Sequence, residues 1–186
     1  MEIPDEELVA AYLAGDESSF ASLVQRHLKS VYSFAVHSVG DAAEDIAQDT
    51  FLKAWKNLRR YDPRSAKFKT WLLRIARNTI IDHLRRKKSF VFSDLGNEHD
   101  DTFADRLPDT SPLPDEILAH AQETQTLAET LDTLPPAQRE VLLLRYMNQL
   151  SFEEIGEVLD EPPSTVRSRH HRGLAELRKR LQQKAG

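Results

Sequence analysis

Two adjoining stretches decide the fold: Leu150-Ser-Phe-Glu-Glu-Ile-Gly-Glu-Val-Leu159 and Pro163-Ser-Thr-Val-Arg-Ser-Arg-His-His-Arg-Gly173. Phe152, Ile155, Gly156 and Leu159 recur at i, i+3, i+4 and i+7, one face of a helix. Ser151 and Glu154 have capping-box spacing and mark its start. Pro162 and Pro163 bar its continuation and suit the first turn of a second helix. At about 100° per residue, Val166, His170, Gly173, Leu174, Leu177 and Leu181 share one side of that second helix. Arg167, Ser168, His171, Arg172 and Lys179 share the other. Gly156 stands where alanine would favour the helix, which predicts a close approach of two backbones.

An apolar back and a basic, hydrogen-bonding front suit a helix that packs on its predecessor and offers its front to the DNA major groove. The competing reading is an amphipathic surface helix with a solvated basic face. Turn, caps, small residue and face polarity agree on the helix-turn-helix.

Charge extends this reading to the whole chain. The net charge of −5 over 186 residues hides strong segregation. Residues 51–88 hold thirteen bases against Asp62 and Asp82, whereas residues 89–126 hold Arg106 against nine acids. From Pro163 onward seven Lys/Arg face Glu176 alone. Two basic surfaces separated by an acidic strip are the footprint of two nucleic-acid contacts. The absence of cysteine leaves no disulfide, thiolate metal site or thiol redox switch to propose. No cofactor or metal is implied. No stretch approaches the roughly 18 apolar residues of a membrane span, and the acidic N-terminus lacks a signal-peptide pattern. A soluble, cytoplasmic protein without membrane contact of its own is the expectation.

The first ninety residues read as helices joined by short turns. Leu8, Val9, Tyr12 and Leu13 suit a first helix ended by Gly15. Phe20, Leu23, Val24, Leu28, Val31, Tyr32, Ala35 and Val36 keep helical spacing until Gly40, and are expected in the core. Asp41 and Glu44 repeat the capping-box spacing before a third helix through Trp55. Its polar side carries Asp45, Gln48, Asp49 and Lys53, either a solvated face or a docking face for a protein.

Basic and aromatic residues then interleave: Arg59, Arg60, Tyr61, Arg64, Lys67, Phe68, Lys69 and Trp71, around an Asp62-Pro63 loop. Bases attract phosphates and exposed aromatics stack on unpaired bases; the alternative makes Phe68 and Trp71 core anchors. A helix from about Thr70 to Lys88 sets Arg74, Arg77, Asn78, Ile81 and Arg85 on one face, with Leu72, Ala76, Thr79, Ile80 and His83 opposite. Acidic, proline-bearing residues follow without helical period, and read as a flexible linker. A helix around Glu123–Leu131, a break at Thr133-Leu-Pro-Pro136 and the run Val141, Leu142, Leu144 lead into the helix-turn-helix. Arg139 and Arg145 are placed to hold phosphates beside it. The expected architecture is all-α: two small helical domains, residues 1–90 and 122–186, joined by an acidic flexible linker at 91–121.

These pieces, in this order, resemble a bacterial RNA polymerase sigma factor of the extracytoplasmic-function (ECF) group. The resemblance rests on Ala43-Glu-Asp-Ile-Ala-Gln-Asp-Thr-Phe51, Trp71-Leu-Leu-Arg-Ile-Ala-Arg-Asn-Thr79, Leu134-Pro-Pro-Ala-Gln-Arg-Glu140, and Ser151-Phe-Glu-Glu-Ile-Gly156 with Thr165-Val-Arg-Ser-Arg169. It implies a region-two and a region-four domain, and a factor that directs core polymerase to promoters without bond-making chemistry. Asp45, Gln48, Asp49 and Lys53 would dock on the clamp helices of the largest polymerase subunit, and the flap would be a second polymerase contact. Arg59, Arg60, Arg64, Lys67, Phe68, Lys69 and Trp71 would capture an unpaired base of the −10 element, with Arg74, Arg77, Asn78 and Arg85 along it. Ser164, Thr165, Arg167, Ser168, Arg169, His171 and Arg172, with Arg145, would contact the −35 element. An anti-sigma factor is an implied partner. The linker would thread the RNA path of the polymerase, or serve only as a spacer. His170-His171 and Gly173 depart from the family pattern, so the −35 preference does not transfer.

Two competing classes remain distinguishable. A stand-alone helix-turn-helix regulator explains 134–186 but leaves the docking helix and basic-aromatic loop idle. A nuclease would need carboxylates clustered around a metal, and Asp62 and Asp82 lack partners at ligand spacing.

Overall fold

Helix α1 (Asp5–Leu13) opens with three acids, Asp5, Glu6 and Glu7, at its positive dipole end. It buries Leu8 and Val9 and stops before Gly15, whose φ of +111° only glycine adopts readily. Leu13, expected inside, is exposed. The structure, a computed structural model, describes residues 3–91 and 124–185. The expected acidic linker lies, apart from residue 91, outside the described residues. Among the described residues every regular element is helical, and the chain forms two compact units.

In the N-terminal unit, Asp16 caps α2 (Glu17–Val39) by accepting from the Ser18 amide at 3.1 Å. Gly40, at φ +58°, ends that helix and starts a short 3₁₀ turn, Gly40–Ala42. The expected Asp41–Glu44 capping box does not form. The 3₁₀ turn takes up Asp41, α3 (Ala43–Asn57) begins behind it, and its N-cap, Ala42, has no side chain to donate or accept. A second 3₁₀ turn, Leu58–Arg60, leads through a loop to α4 (Phe68–Val91). Helix α3 packs on both α2 and α4. The core is built from Leu23, Phe34, Ile46, Leu58, Phe68 and Leu72, each nearly or wholly enclosed.

The α2 stripe is only partly core. Leu23, Val31 and Ala35 are buried, together with His27 and Phe34, which were not anticipated there. Leu28 and Tyr32 are 47% and 45% exposed, against the expectation of burial. The reason is angular. At about 100° per residue the apolar residues of α2 sweep roughly half the circumference, wider than the arc one neighbouring layer covers.

In the C-terminal unit, α5 (Thr124–Asp132) and α6 (Pro136–Leu142) flank the Pro-Pro break, with Pro136 in the first turn of α6. A π-helical turn, Leu143–Met147, continues α6 and was not anticipated. It buries Leu143 and Leu144 and leaves Tyr146 and Met147 exposed. Helices α7 (Phe152–Leu159) and α8 (Pro163–Ala185) follow. Leu134, Leu142, Leu174 and Leu177 form one core cluster, with Leu127, Leu131 and Leu181 against it. Fully burying a leucine contributes about 1.5–3 kcal/mol, so this cluster is a main contribution to seating α8 on α5 and α6.

Candidate functional site

The helix-turn-helix forms as its spacing requires. The Ser151 amide donates to the Glu154 carboxylate at 2.7 Å, and the Glu154 amide donates to Ser151 Oγ at 3.1 Å, a reciprocal capping box. Asp160 turns the chain at φ +58°. A Cβ on Gly156 would lie 2.7 Å from the Glu161 carbonyl oxygen, so the glycine is demanded by the turn's own backbone. Val166, His170, Gly173, Leu174 and Leu177 are buried along the back of α8.

Ser164, Arg167, Ser168, His171 and Arg172 come together on the front of α8. Arg167 is already held: it donates to Glu153 at 3.0 Å, and its guanidinium lies 5.8 Å from the Phe152 ring centre. The backbone amide of Glu153 and then Arg167 hold the Glu153 carboxyl below its ordinary range. Arg169 is turned aside, paired with Glu161 of the turn at 2.7 Å. Arg145 donates to the Leu150 carbonyl at 2.8 Å and covers the same Phe152 ring at 4.9 Å. Both Arg169 and Arg145 thus have roles in building the motif, which spacing alone did not reveal. His170 packs edge-on to Phe152 and hydrogen-bonds the Tyr146 hydroxyl at 2.9 Å, which fits the expectation of a packing histidine. Thr165 sits half-buried beside Ser164 in the first turn of α8.

In the N-terminal unit, Arg59, Arg60, Arg64 and Lys67 are exposed on the loop between α3 and α4. Asp62 shapes its tip, accepting from the Arg64 amide at 2.9 Å and from Ser65 Oγ at 3.1 Å. Phe68 is 1% exposed and packs against Tyr61, Trp71 and His27, so it is a core anchor with no face open for a base. Trp71 is half-buried in the same cluster, and Lys69, at the start of α4, is half-buried too. Arg74, Asn78 and Arg85 are exposed along α4, and Arg77 is half-buried among them.

On α3, Asp45, Gln48 and Asp49 share an exposed face. Lys53 does not join them: it donates to Thr79 Oγ1 on α4 at 3.1 Å and lies 3.8 Å from Asp82. Beside the acidic face runs an open apolar groove of about 1090 Å³ between α2 and α3, lined by Val24, Leu28, Tyr32, Phe51, Leu52 and Trp55. The sequence reading missed it, although the excess width of the α2 stripe was the signal. It also missed that Glu6 meets Tyr61 beneath the loop. The Tyr61 hydroxyl lies 3.0 Å from the Ala66 carbonyl and 3.4 Å from Glu6. Burial first, then the charges of Glu6 and Asp5, hold the Tyr61 phenol far above its ordinary range, so it stays a proton donor.

A family model described as Sigma-70 region 2 matches residues 23–90, and one described as Sigma-70, region 4 matches residues 124–177. The ECF RNA polymerase sigma factor SigW of Bacillus subtilis is 33% identical over 185 residues, covering 97% of this chain and 98% of its own. This chain belongs to the ECF sigma factors. The RNA polymerase sigma-H factor of Pseudomonas aeruginosa is 35% identical over 182 residues, covering 96% of this chain and 94% of its own. Among solved structures, CnrH in complex with the cytosolic domain of CnrY is similar at 27% identity and a TM-score of 0.66, covering 96% of this chain and 97% of that one. As an ECF sigma factor the protein binds core RNA polymerase and directs it to specific promoters. Among the described residues no helix is long and apolar enough to cross a membrane.

Proposed function

We propose that this sigma factor divides its work between residues 1–90 and residues 122–186, with 91–121 as the connection. The single observation that carries the division is that Arg59, Arg60, Arg64 and Lys67 are exposed on the α3–α4 loop, while Arg167 and Arg172 come together on the front of α8. The front of α8 reads the −35 element in the major groove through Arg167, Ser168, His171 and Arg172, with Ser164 and Thr165 on phosphates at the helix N-terminus. Arg145 and Arg169 hold the motif that presents them. The loop cations Arg59, Arg60, Arg64 and Lys67, with Lys69, surround the flipped −10 base, and Trp71 supports that pocket from the half-buried cluster. Arg74, Arg77, Asn78 and Arg85 follow the −10 strand by phosphate and base contacts.

Asp45, Gln48 and Asp49 dock on the clamp helices of the largest polymerase subunit, the apolar groove extends that surface, and the flap contacts the C-terminal domain. Lys53 supports the docking face by tying α3 to Thr79 of α4. The factor makes and breaks no bonds. It shifts the balance of duplex opening: unstacking a base costs a few kcal/mol, and stacking with hydrogen bonds in a pocket returns about 1–3 kcal/mol per base. The similarity to CnrH, solved with the cytosolic domain of CnrY, supports a protein partner here, read as an anti-sigma factor, and the setting is the cytoplasm.

Reconstituted transcription tests this division. Core polymerase, this protein and a pool of genomic promoter fragments are expected to yield discrete start sites sharing two upstream elements. Starts that share only one element would overturn the division, and sequence-specific DNA retention by the protein alone without initiation would return the stand-alone regulator.

A further inference from the structure

The loop between α3 and α4 is fastened at both ends to one residue far away in sequence. One Glu6 carboxylate oxygen, on α1, lies 3.4 Å from the Tyr61 hydroxyl and 3.4 Å from the Phe68 amide. Tyr61 opens the loop and Phe68 begins α4. The Phe68 amide is among the first four of the helix, which have no partner within it, and a carboxylate there also meets the positive end of the dipole. The single Tyr61 hydroxyl proton is shared between the Ala66 carbonyl at 3.0 Å, which closes the loop on itself, and the Glu6 carboxylate at 3.4 Å. Its ring and that of Phe68 meet edge to face at 5.7 Å.

Helix α1 is itself tied down. The next carboxylate, Asp5, accepts from Arg26 and from His27 Nε2 at 2.7 Å, both on α2, and the His27 ring packs on Phe68. Tyr61, His27 and Phe68 are 8%, 6% and 1% exposed. The segment between the two anchors contrasts with them: Asp62, Pro63, Arg64, Ser65 and Lys67 are all exposed. A short exposed loop whose two ends converge on one carboxylate has few conformations left to lose when it closes on a ligand.

We propose that Glu6 is a positioning residue for promoter opening: by joining Tyr61 and Phe68 from α1, it holds the loop in the shape that receives the unpaired −10 base. The proposal rests on the reading of the 59–69 loop as the base-capture loop. Glu6 itself touches no DNA. It lowers the ordering cost of capture, and that cost matters most when capture must compete with base pairing.

The test compares Glu6→Ala and Glu6→Gln in the full-length protein with core polymerase, on one promoter in two forms. The first form is duplex, with opening followed by the fluorescence of 2-aminopurine in the −10 element. The second is premelted across that element, so no base pair has to break. Glu6→Ala is expected to slow opening of the duplex about 10-fold, the effect of one lost hydrogen bond to a charged group, and to leave the premelted promoter within about twofold. Glu6→Gln keeps an acceptor oxygen and is expected to recover part of the loss.

Unchanged opening of the duplex by Glu6→Ala would overturn the proposal. Equal loss on both forms with a lowered melting temperature would also overturn it, leaving Glu6 a stabiliser of the domain. The variant Arg64→Ala with Lys67→Ala tests the underlying reading. If that variant opens the duplex and discriminates −10 bases as the natural protein does, the loop does not capture the base and both readings fall. If it is impaired while Glu6→Ala is not, only the role of Glu6 falls.

Discussion

In the N-terminal unit the loop cations stand on a segment pinned from beneath by buried groups, Tyr61, Phe68 and His27. In the C-terminal unit the positions are reversed, and the arginines themselves are held, Arg167 by Glu153 and Arg169 by Glu161. The first arrangement fixes a backbone shape and leaves Arg59, Arg60 and Arg64 exposed. The second fixes the charges on a helix that is rigid already. A pocket for a flipped base needs a shaped cavity, and a major-groove reader needs aimed donors, so each unit constrains what its proposed ligand requires.

The largest way to break the comparison is Gly156→Ala. The new Cβ would meet a backbone carbonyl at 2.7 Å, and relief must come from moving the turn that aims α8. A loss of about 1–3 kcal/mol is expected, read as a lower melting temperature with loss of −35 dependence. Binding of a single-stranded −10 oligonucleotide should be unchanged, because that face belongs to the other unit.

Next comes Asp5→Asn. Burial works to raise the Asp5 carboxyl, but hydrogen bonds and charge from His27 and Arg26 outweigh it and hold it below its ordinary range. A folded value below the unfolded one, about 3.9, means the stabilisation is complete above that pH and is lost as pH falls through the folded value. The natural protein should therefore lose stability below about pH 4, and Asp5→Asn should show a weaker acid dependence. At neutral pH it should be less stable by about 1 kcal/mol, the difference between hydrogen bonds to a charged and to a neutral acceptor. Denaturant titration at several pH values measures both.

Gly173→Ala should do little. Alanine gains up to about 1 kcal/mol of helix propensity, and its Cβ would press on Leu142 and Gln138 at 3.3 and 3.4 Å. A net change within about 0.5 kcal/mol is expected by thermal unfolding.

The smallest effect on stability belongs to Glu153→Gln, since both partners of its ion pair are solvent-exposed. Its effect should instead be on binding: faster association with any DNA and a steeper salt dependence, as Arg167 is released to phosphates.

The C-terminal unit was the more legible in sequence. Its helix-turn-helix is local, and Ser151, Glu154, Gly156, Pro162 and Pro163 each specify one geometric event within a few residues. What escaped there were pairings across the turn, Arg169 with Glu161 and Arg167 with Glu153, because any nearby carboxylate would have satisfied the pattern. The π turn at Leu143–Met147 escaped as well, since its apolar residues suit an α-helix equally. In the N-terminal unit the helices were legible, but contacts spanning more than fifty residues were not. Nothing around Glu6 announces Tyr61 or Phe68. The open side of α2 was legible in principle: an apolar arc that wide exceeds what one packing layer covers, and Leu28 and Tyr32 are the excess.

In the proposed division, two separate faces read two separate promoter elements. The most direct measurement is transcription by core polymerase with this protein on a promoter library mutated base by base. It would compare Arg64→Ala with Lys67→Ala against Arg167→Ala with Arg172→Ala. The account predicts that the first pair relaxes discrimination in the −10 element alone, the second pair in the −35 element alone, and that the four changes combined give the product of the two losses. Relaxation of the same element by both pairs, or full discrimination at both elements in either variant, would contradict it.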